Sequence, residues 1–210
     1  TGNAAGQNMV TLATNVACEY IRQETGHKFF LDSNLASDKK ASSRNMILGR
    51  GHGVIAETHI TKSVMARVLN VDPDFVIENW TYFPIVSAMA GTLGNAIHAS
   101  NALTAIYIAT GQDTACVAEN SVGHFAVEKV DDGITWRLTL PSMTVGTVGG
   151  GTRLNQQQQN LQLLGCDSSK HSSRKLAEII ASAALGLEIS LGSAIMSHTW
   201  TSAHMKYGRK

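Results

Sequence analysis

Asp38, Lys39 and Lys40 stand side by side in a polar, serine-rich stretch. Two ammonium groups beside a carboxylate can stabilise an oxyanion as it forms, provided the lysine keeps its charge. On composition alone the triplet reads first as a solvated charged loop. Asp113 closes a long run almost free of charge, where an acid is costly unless it is paired. Buried beside a lysine, it would make a proton relay. His204, near a basic C-terminal end, reads on its spacing as an ordinary surface histidine.

Two glycine loops could hold a ligand. Gly146-Thr147-Val148-Gly149-Gly150-Gly151-Thr152 lets backbone amides approach an anion without side-chain obstruction, and the helix after it offers its positive end. A similar loop at 1–8 precedes another helix. The spacing is neither GxGxxG nor GxxxxGK[ST], so Rossmann and P-loop assignments fail. A phosphate cradle and a tight structural turn both remain open. No HExxH, CxxC or GxSxG occurs, and Cys18, Cys116 and Cys166 lie far apart, so no metal is expected.

These groups need elements to hold them. Met9, Leu12, Ala13, Val16, Ala17, Tyr20 and Ile21 recur at three- and four-residue steps, predicting an amphipathic helix opened by a glycine turn. The stretch from Asp32 to Arg44 predicts a loop between two bodies. GVIAETHI alternates like a strand, with Thr61 placed to cap a helix from Lys62 to Leu69. Ala96 to Thr110 predicts a buried helix. GHFAVEKV and GITWRLTL, joined at Asp131-Asp132-Gly133, predict a hairpin. The glycine loop then feeds a helix ended by Gly165, and two more helical stretches close the chain. Ile179 to Met196 nears the length of a membrane span, yet Glu188 and three serines within it predict a packed helix instead.

Composition sets the outer bounds. Of 210 residues, 43% are hydrophobic, enough for a core, and only 16% are charged, against about 25% in an ordinary soluble domain. Seventeen basic and sixteen acidic residues leave a formal net charge of +1, which supplies no field for a nucleic acid.

The segments TGNAAGQNM (1–9), SDKKASSRN (37–45), SAMAGTLGNAIHASNALTAIYIATGQD (87–113) and TVGTVGGGTRLNQQQQNLQLLG (144–165) resemble, in order, hydroxymethylglutaryl-coenzyme A reductase. The likeness extends to AHMKYGRK at the end. It implies reduction of 3-hydroxy-3-methylglutaryl-CoA to mevalonate and CoA with two hydrides from NADPH, or NADH in some members. Lys39 would then stabilise the charge on the substrate carbonyl oxygen, Asp113 would hydrogen-bond that lysine, and His204 would protonate the departing CoA thiolate. Asp38, Lys40, Asn45 and Asn101 would contact substrate or support the lysine. Gly2, Asn3, Gly6, Asn8, Gly149, Gly150 and Gly151 would line the dinucleotide.

The resemblance also implies an α+β fold. A remnant of a small NADP-binding domain would occupy 1–30, the connecting catalytic loop 31–45, and a large helix-rich substrate-binding and dimerisation domain 46–210, with a central buried helix and a small antiparallel sheet. A homodimer is implied, with the site between subunits. The implied setting is cytoplasmic, or the cytosolic face of the endoplasmic reticulum if a membrane segment precedes residue 1; no anchor is expected within the chain. The family's catalytic glutamate lies in an ENVIG-like motif absent here, so the chain is expected to be a fragment, inactive alone. Asn3 stands where the family generally carries Asp, and Tyr82 falls where an ungapped alignment expects a substrate-binding lysine. Both changes favour the alternative of a reductase-like protein that binds ligand with lost or altered catalysis. A local slip of the alignment would also account for Tyr82.

Overall fold

The computed structural model describes residues 2–167 and 170–208. Helix α1 (Gln7–Thr25) leads through a long polar stretch to α2 (Ser43–Leu48) and strand β1 (His52–Thr61). Next come α3 (Lys62–Val64), running into a π-helical turn Met65–Leu69, then α4 (Pro73–Trp80), α5 (Phe83–Met89) and α6 (Ala99–Thr110). A 3₁₀ turn Thr114–Cys116 joins α7 (Val117–Asn120) to the hairpin of β2 (His124–Val130) and β3 (Gly133–Met143). A second 3₁₀ turn, Gly150–Arg153, precedes α8 (Asn155–Leu163), α9 (Ser172–Met196) and α10 (Trp200–Tyr207). The fold is α+β, with a three-stranded antiparallel sheet in the order β1-β3-β2.

The core forms where the periodic stripes meet. Ile134, Trp136, Leu138 and Leu140 alternate inward along central strand β3, as a half-buried strand must. Glu57 and Arg137, direct partners across β1 and β3, form an ion pair on the other side. Leu176, Ala177, Ile180, Ala181, Ala184, Leu185 and Ile189 make the buried stripe of α9, which packs on α6, β1 and β3. Ala99, Ala102, Leu103 and Tyr107 do the same for α6.

By length and composition alone, α9 could cross a membrane, but Glu188 shows its use in this fold. Its carboxylate, 3% exposed, accepts hydrogen bonds from the amides of Ile97, His98 and Ala99 at 3.2, 2.7 and 2.9 Å. It thereby caps the positive end of α6 from a distant part of the chain.

Several boundaries moved from expectation. The buried helix starts at Ala99 rather than Ala96, where Glu188 satisfies its first amides. Thr61 sits at the N-cap of α3, but its hydroxyl bonds the Ser63 hydroxyl at 3.1 Å instead of a backbone amide. Helix α1 has the predicted periodicity yet buries none of its residues; Met9, Leu12, Val16 and Tyr20 are exposed. The odd stretch around Tyr82 has a packing rationale: Trp80 stacks on Phe83 at 5.2 Å and meets Phe125 edge-on at 4.9 Å, and Phe125 stacks on Trp136. Tyr82 itself is exposed at the corner between α4 and α5.

Asn3 has a structural role as well. Its Oδ1 accepts from the Ser173 amide at 3.3 Å and the Ser173 hydroxyl at 3.4 Å, in the first turn of α9. Asn3→Asp would place a full negative charge at that helix end. We expect a gain of about 0.3–1 kcal/mol, visible as a melting temperature higher by roughly 1–4 °C at neutral pH; a fall would refute the capping role.

Candidate active site

The site is built on the segment Gly111-Gln112-Asp113, which follows directly from α6. Gly111, at φ +71°, ends the helix in the left-handed region. It also packs against the second glycine loop, where a Cβ on Gly151 would lie 2.7 Å from the Gly111 carbonyl oxygen. Gln112 clamps the same loop at both polar groups of Gly146: its Nε2 donates to the carbonyl at 2.8 Å and its Oε1 accepts from the amide at 2.8 Å. Asp113 turns the other way, its Oδ2 lying 3.0 Å from Lys39 Nζ. Three consecutive residues thus tie the glycine loop to the lysine turn.

The two glycine loops lie against each other. The Thr147 amide donates to the Asn3 carbonyl at 2.8 Å, and a Cβ on Gly146 would come within 2.8 Å of the Ala5 nitrogen. Gly6, at φ +83°, opens α1. Gly149 and Gly150 take φ +83° and +53° with nothing within 4 Å of a Cβ position, and the Gly149 carbonyl accepts from the Thr152 hydroxyl at 2.6 Å. Gly2 and Asn8 are exposed. The N-terminal loop borders a cleft of about 930 Å³ that also reaches Asp38, Arg44, Asn45 and Arg50.

Lys39 adopts φ +59°, a left-handed conformation that a non-glycine residue keeps only when its surroundings enforce it. The hydrogen bond and opposite charge of Asp113 hold its pKa above the usual lysine value. At neutral pH Lys39 is therefore a fixed positive charge. The pair is less secluded than its place in an uncharged run suggested, with side chains 45% and 35% exposed. Asp113 Oδ1 also accepts from the Ala115 amide at 3.1 Å, fixing the carboxylate.

The remaining predicted residues divide by environment. Asp38 pairs with Arg50 NH2 at 2.7 Å. Lys40 Nζ donates to the Ala36 carbonyl at 2.9 Å. Asn45 is buried, its amide Nδ2 donating to the Ser37 carbonyl at 3.1 Å and to Glu119 at 2.9 Å. Asn101, exposed in the first turn of α6, bonds His98 Nδ1 at 2.6 Å. His204 lies on α10, whose described side chains are all exposed, with Nδ1 2.8 Å from the Trp200 carbonyl and its ring edge-on to Trp200 at 4.7 Å. Among the described residues it makes no hydrogen bond or ion pair with Lys39 or Asp113.

Arg50 and Glu119 were absent from the predicted set. Glu119 is wholly buried and receives Arg50, Asn45 and the Thr144 hydroxyl. Sequence offered one usable signal: an acid six residues after Asp113 in an otherwise uncharged stretch, which must find a buried cation.

Residues 1–209 match the family model of hydroxymethylglutaryl-coenzyme A reductase. The 3-hydroxy-3-methylglutaryl-coenzyme A reductase of Aeropyrum pernix is 42% identical over 217 residues, covering 100% of this chain and 52% of that protein. The protein of the same name from Methanocaldococcus jannaschii is 38% identical over 216 residues, with 100% and 53% covered. The Hevea brasiliensis protein named 3-hydroxy-3-methylglutaryl-coenzyme A reductase 3 is 41% identical over 221 residues, with 100% and 38% covered. The chain thus spans about half the length of these archaeal relatives and less of the plant one.

Proposed function

The chain belongs to the hydroxymethylglutaryl-coenzyme A reductase family, and we propose that it supplies the lysine, the aspartate and the leaving-group acid of a reductase that converts 3-hydroxy-3-methylglutaryl-CoA to mevalonate and CoA. The observation that carries this reading is the 3.0 Å pairing of Lys39 with Asp113, one residue from the Gln112 clamp on the glycine loop. Each hydride added to the thioester or aldehyde carbon leaves a negative charge on oxygen. A fixed ammonium beside that oxygen lowers the barrier, and Asp113 keeps Lys39 charged and in place. His204 would donate the proton that converts the departing CoA thiolate to a thiol; its exposed place on α10 leaves the imidazole open to substrate.

The paired glycine loops fit a dinucleotide. Gly149 and Gly150 leave open space on their Cβ side, and the N-terminal ends of α1 and α9 adjoin the loop at 2–6 through Gly6 and Ser173, where an anion is favoured. NADPH, or NADH, when bound supplies the hydride. Asp38, Lys40 and Asn101 would contact substrate in this reading, and Asn45 would support the lysine turn through its bonds to Ser37. The working unit in this reading is a homodimer, to which exposed apolar side chains such as Ile85, Val86 and Met89 of α5 offer uncovered surface. It would work in the cytoplasm or on the cytosolic face of the endoplasmic reticulum.

The test is oxidation of NADPH by the intact protein carrying these residues. Oxidation that depends on 3-hydroxy-3-methylglutaryl-CoA is expected, while a polypeptide of these 210 residues alone binds dinucleotide weakly and shows no turnover. Tyr82, 64% exposed where the family resemblance places a cation, favours a second reading in which ligand binding persists with altered catalysis. Cofactor binding without oxidation by the intact protein would select it and sink the first.

A further inference from the structure

We propose that Glu119 and Arg50 are positioning residues for Lys39, holding the turn that presents its ammonium to Asp113. The turn spans Ser37 to Lys40, whose amide donates to the Ser37 carbonyl at 3.3 Å. Its first two residues, Ser37 and Asp38, are tethered separately to one buried carboxylate. For Ser37, Glu119 Oε2 accepts from Asn45 at 2.9 Å, and Asn45 bonds Ser37 twice, at the Ser37 carbonyl at 3.1 Å and the Ser37 hydroxyl at 2.6 Å. For Asp38, Glu119 Oε1 pairs with Arg50 NH1, and Arg50 NH2 reaches Asp38 Oδ1 at 2.7 Å.

Lys39 follows the tethered Asp38 and carries the left-handed backbone, so freeing either tether lets the strained residue relax. The forked guanidinium of Arg50 spans both carboxylates from one side chain, NH1 on Glu119 and NH2 on Asp38. Asp38, Cys116 and Glu119 bring ligand atoms within 4.8 Å of one another, but the cation these two carboxylates meet is Arg50. The anchor is also well sited in sequence. Glu119 lies on α7, reached from Asp113 through a single 3₁₀ turn, so one short segment fixes both the partner of Lys39 and the post that holds its turn.

The consequence for turnover rests on the reductase reading, whereas the positioning does not, so the test reads Lys39 directly. Trace acylation of the full chain with acetic anhydride, quantified by peptide mass spectrometry, reports how freely each lysine amine reacts. In Glu119→Gln, Lys39 is expected to label about two- to fivefold faster, the range that loosening one exposed ion pair allows, while exposed Lys28 and Lys62 keep their rates. An unchanged Lys39 rate in a folded variant, judged by circular dichroism, overturns the proposal. A merely structural role would shift the unfolding midpoint without changing Lys39 labelling relative to Lys28 in the native state.

Should Glu119→Gln fail to fold, Arg50→Gln can still donate to Glu119 but gives up the ion pair with Asp38; the same rise is expected, and its absence is equally decisive. In the intact protein both variants should lower kcat more than they raise KM. Faster Lys39 labelling in a protein that oxidises no NADPH would refute the reductase reading and leave the positioning intact.

Discussion

Truncation of Glu188 to alanine is expected to lower the unfolding free energy by about 3 kcal/mol, and Glu188→Gln by roughly half as much. The carboxylate accepts three backbone amides at the start of α6. Only Ala99 among those three residues is fully buried, so its donor bears the full cost of losing a partner while the other two recover part from water. Removing the buried charge returns some desolvation energy, which keeps the total below the sum of three lost charge-assisted bonds. Glutamine retains one acceptor oxygen and loses the charge that favours the helix end. Urea unfolding of the full chain would measure both changes, with melting temperatures falling by roughly 6–12 °C for alanine. A loss below about 1 kcal/mol for alanine would mean that water caps the helix equally well.

Glu188 also shows what kind of information the sequence withholds. That an acid inside an apolar helix argues for packing and demands partners is legible from its type and place. Which partners it finds is not, because the three amides come from residues about ninety positions away and carry no side-chain signature. The elements whose signals are local were legible: the Asp131-Asp132-Gly133 hairpin, the alternation of β3 and the helix after the glycine loop. The helices α4 and α5 were not. Their short apolar runs, interrupted by Pro73 and Pro84, fix no period, and they are held by an aromatic stack that closes only when Phe125 and Trp136 arrive from the sheet.

The site divides along the same line. Residue type singled out the Asp38-Lys39-Lys40 triplet, the family resemblance Lys39 within it, and the cost of an acid in an uncharged run Asp113. Their pairing at 3.0 Å joins positions more than seventy residues apart in sequence, and without it the triplet kept the reading of a solvated charged loop. Residues that act through others left weaker traces. Arg50, between two glycines, looks like any turn cation until Glu119 and Asp38 are placed on either side of it. Asn3 looked like a lost charge and proves to cap α9, because a helix end 170 residues away has no local sequence mark at its distant cap. The low charge content takes on meaning in the same way: the few acids buried here, Glu119 and Glu188, each hold another element in place.

On the proposed reductase function, replacing Lys39 with glutamine in the intact protein is expected to lower kcat for reduction of 3-hydroxy-3-methylglutaryl-CoA by about 10²–10³-fold, or roughly 2.7–4 kcal/mol of transition-state stabilisation. The charge on the carbonyl oxygen exists only as hydride arrives, so a group that answers it should affect kcat far more than KM. Stability should change little, within about 0.5 kcal/mol, because the Lys39 side chain is 45% exposed and glutamine meets the same backbone strain at φ +59°. Asp113→Asn provides the complementary test. With the opposite charge removed, the lysine pKa falls back toward its ordinary 10.5. A charge-dependent rate would then be retained at neutral pH and lost at lower alkaline pH than in the unaltered protein. The sign is fixed by the pair: Asp113 raises the Lys39 pKa, so its contribution persists below the ordinary value and disappears as pH climbs through the raised one. A Lys39→Gln protein that keeps its kcat, or an alkaline limb that stays fixed in Asp113→Asn, would show that this ammonium does not meet the developing charge.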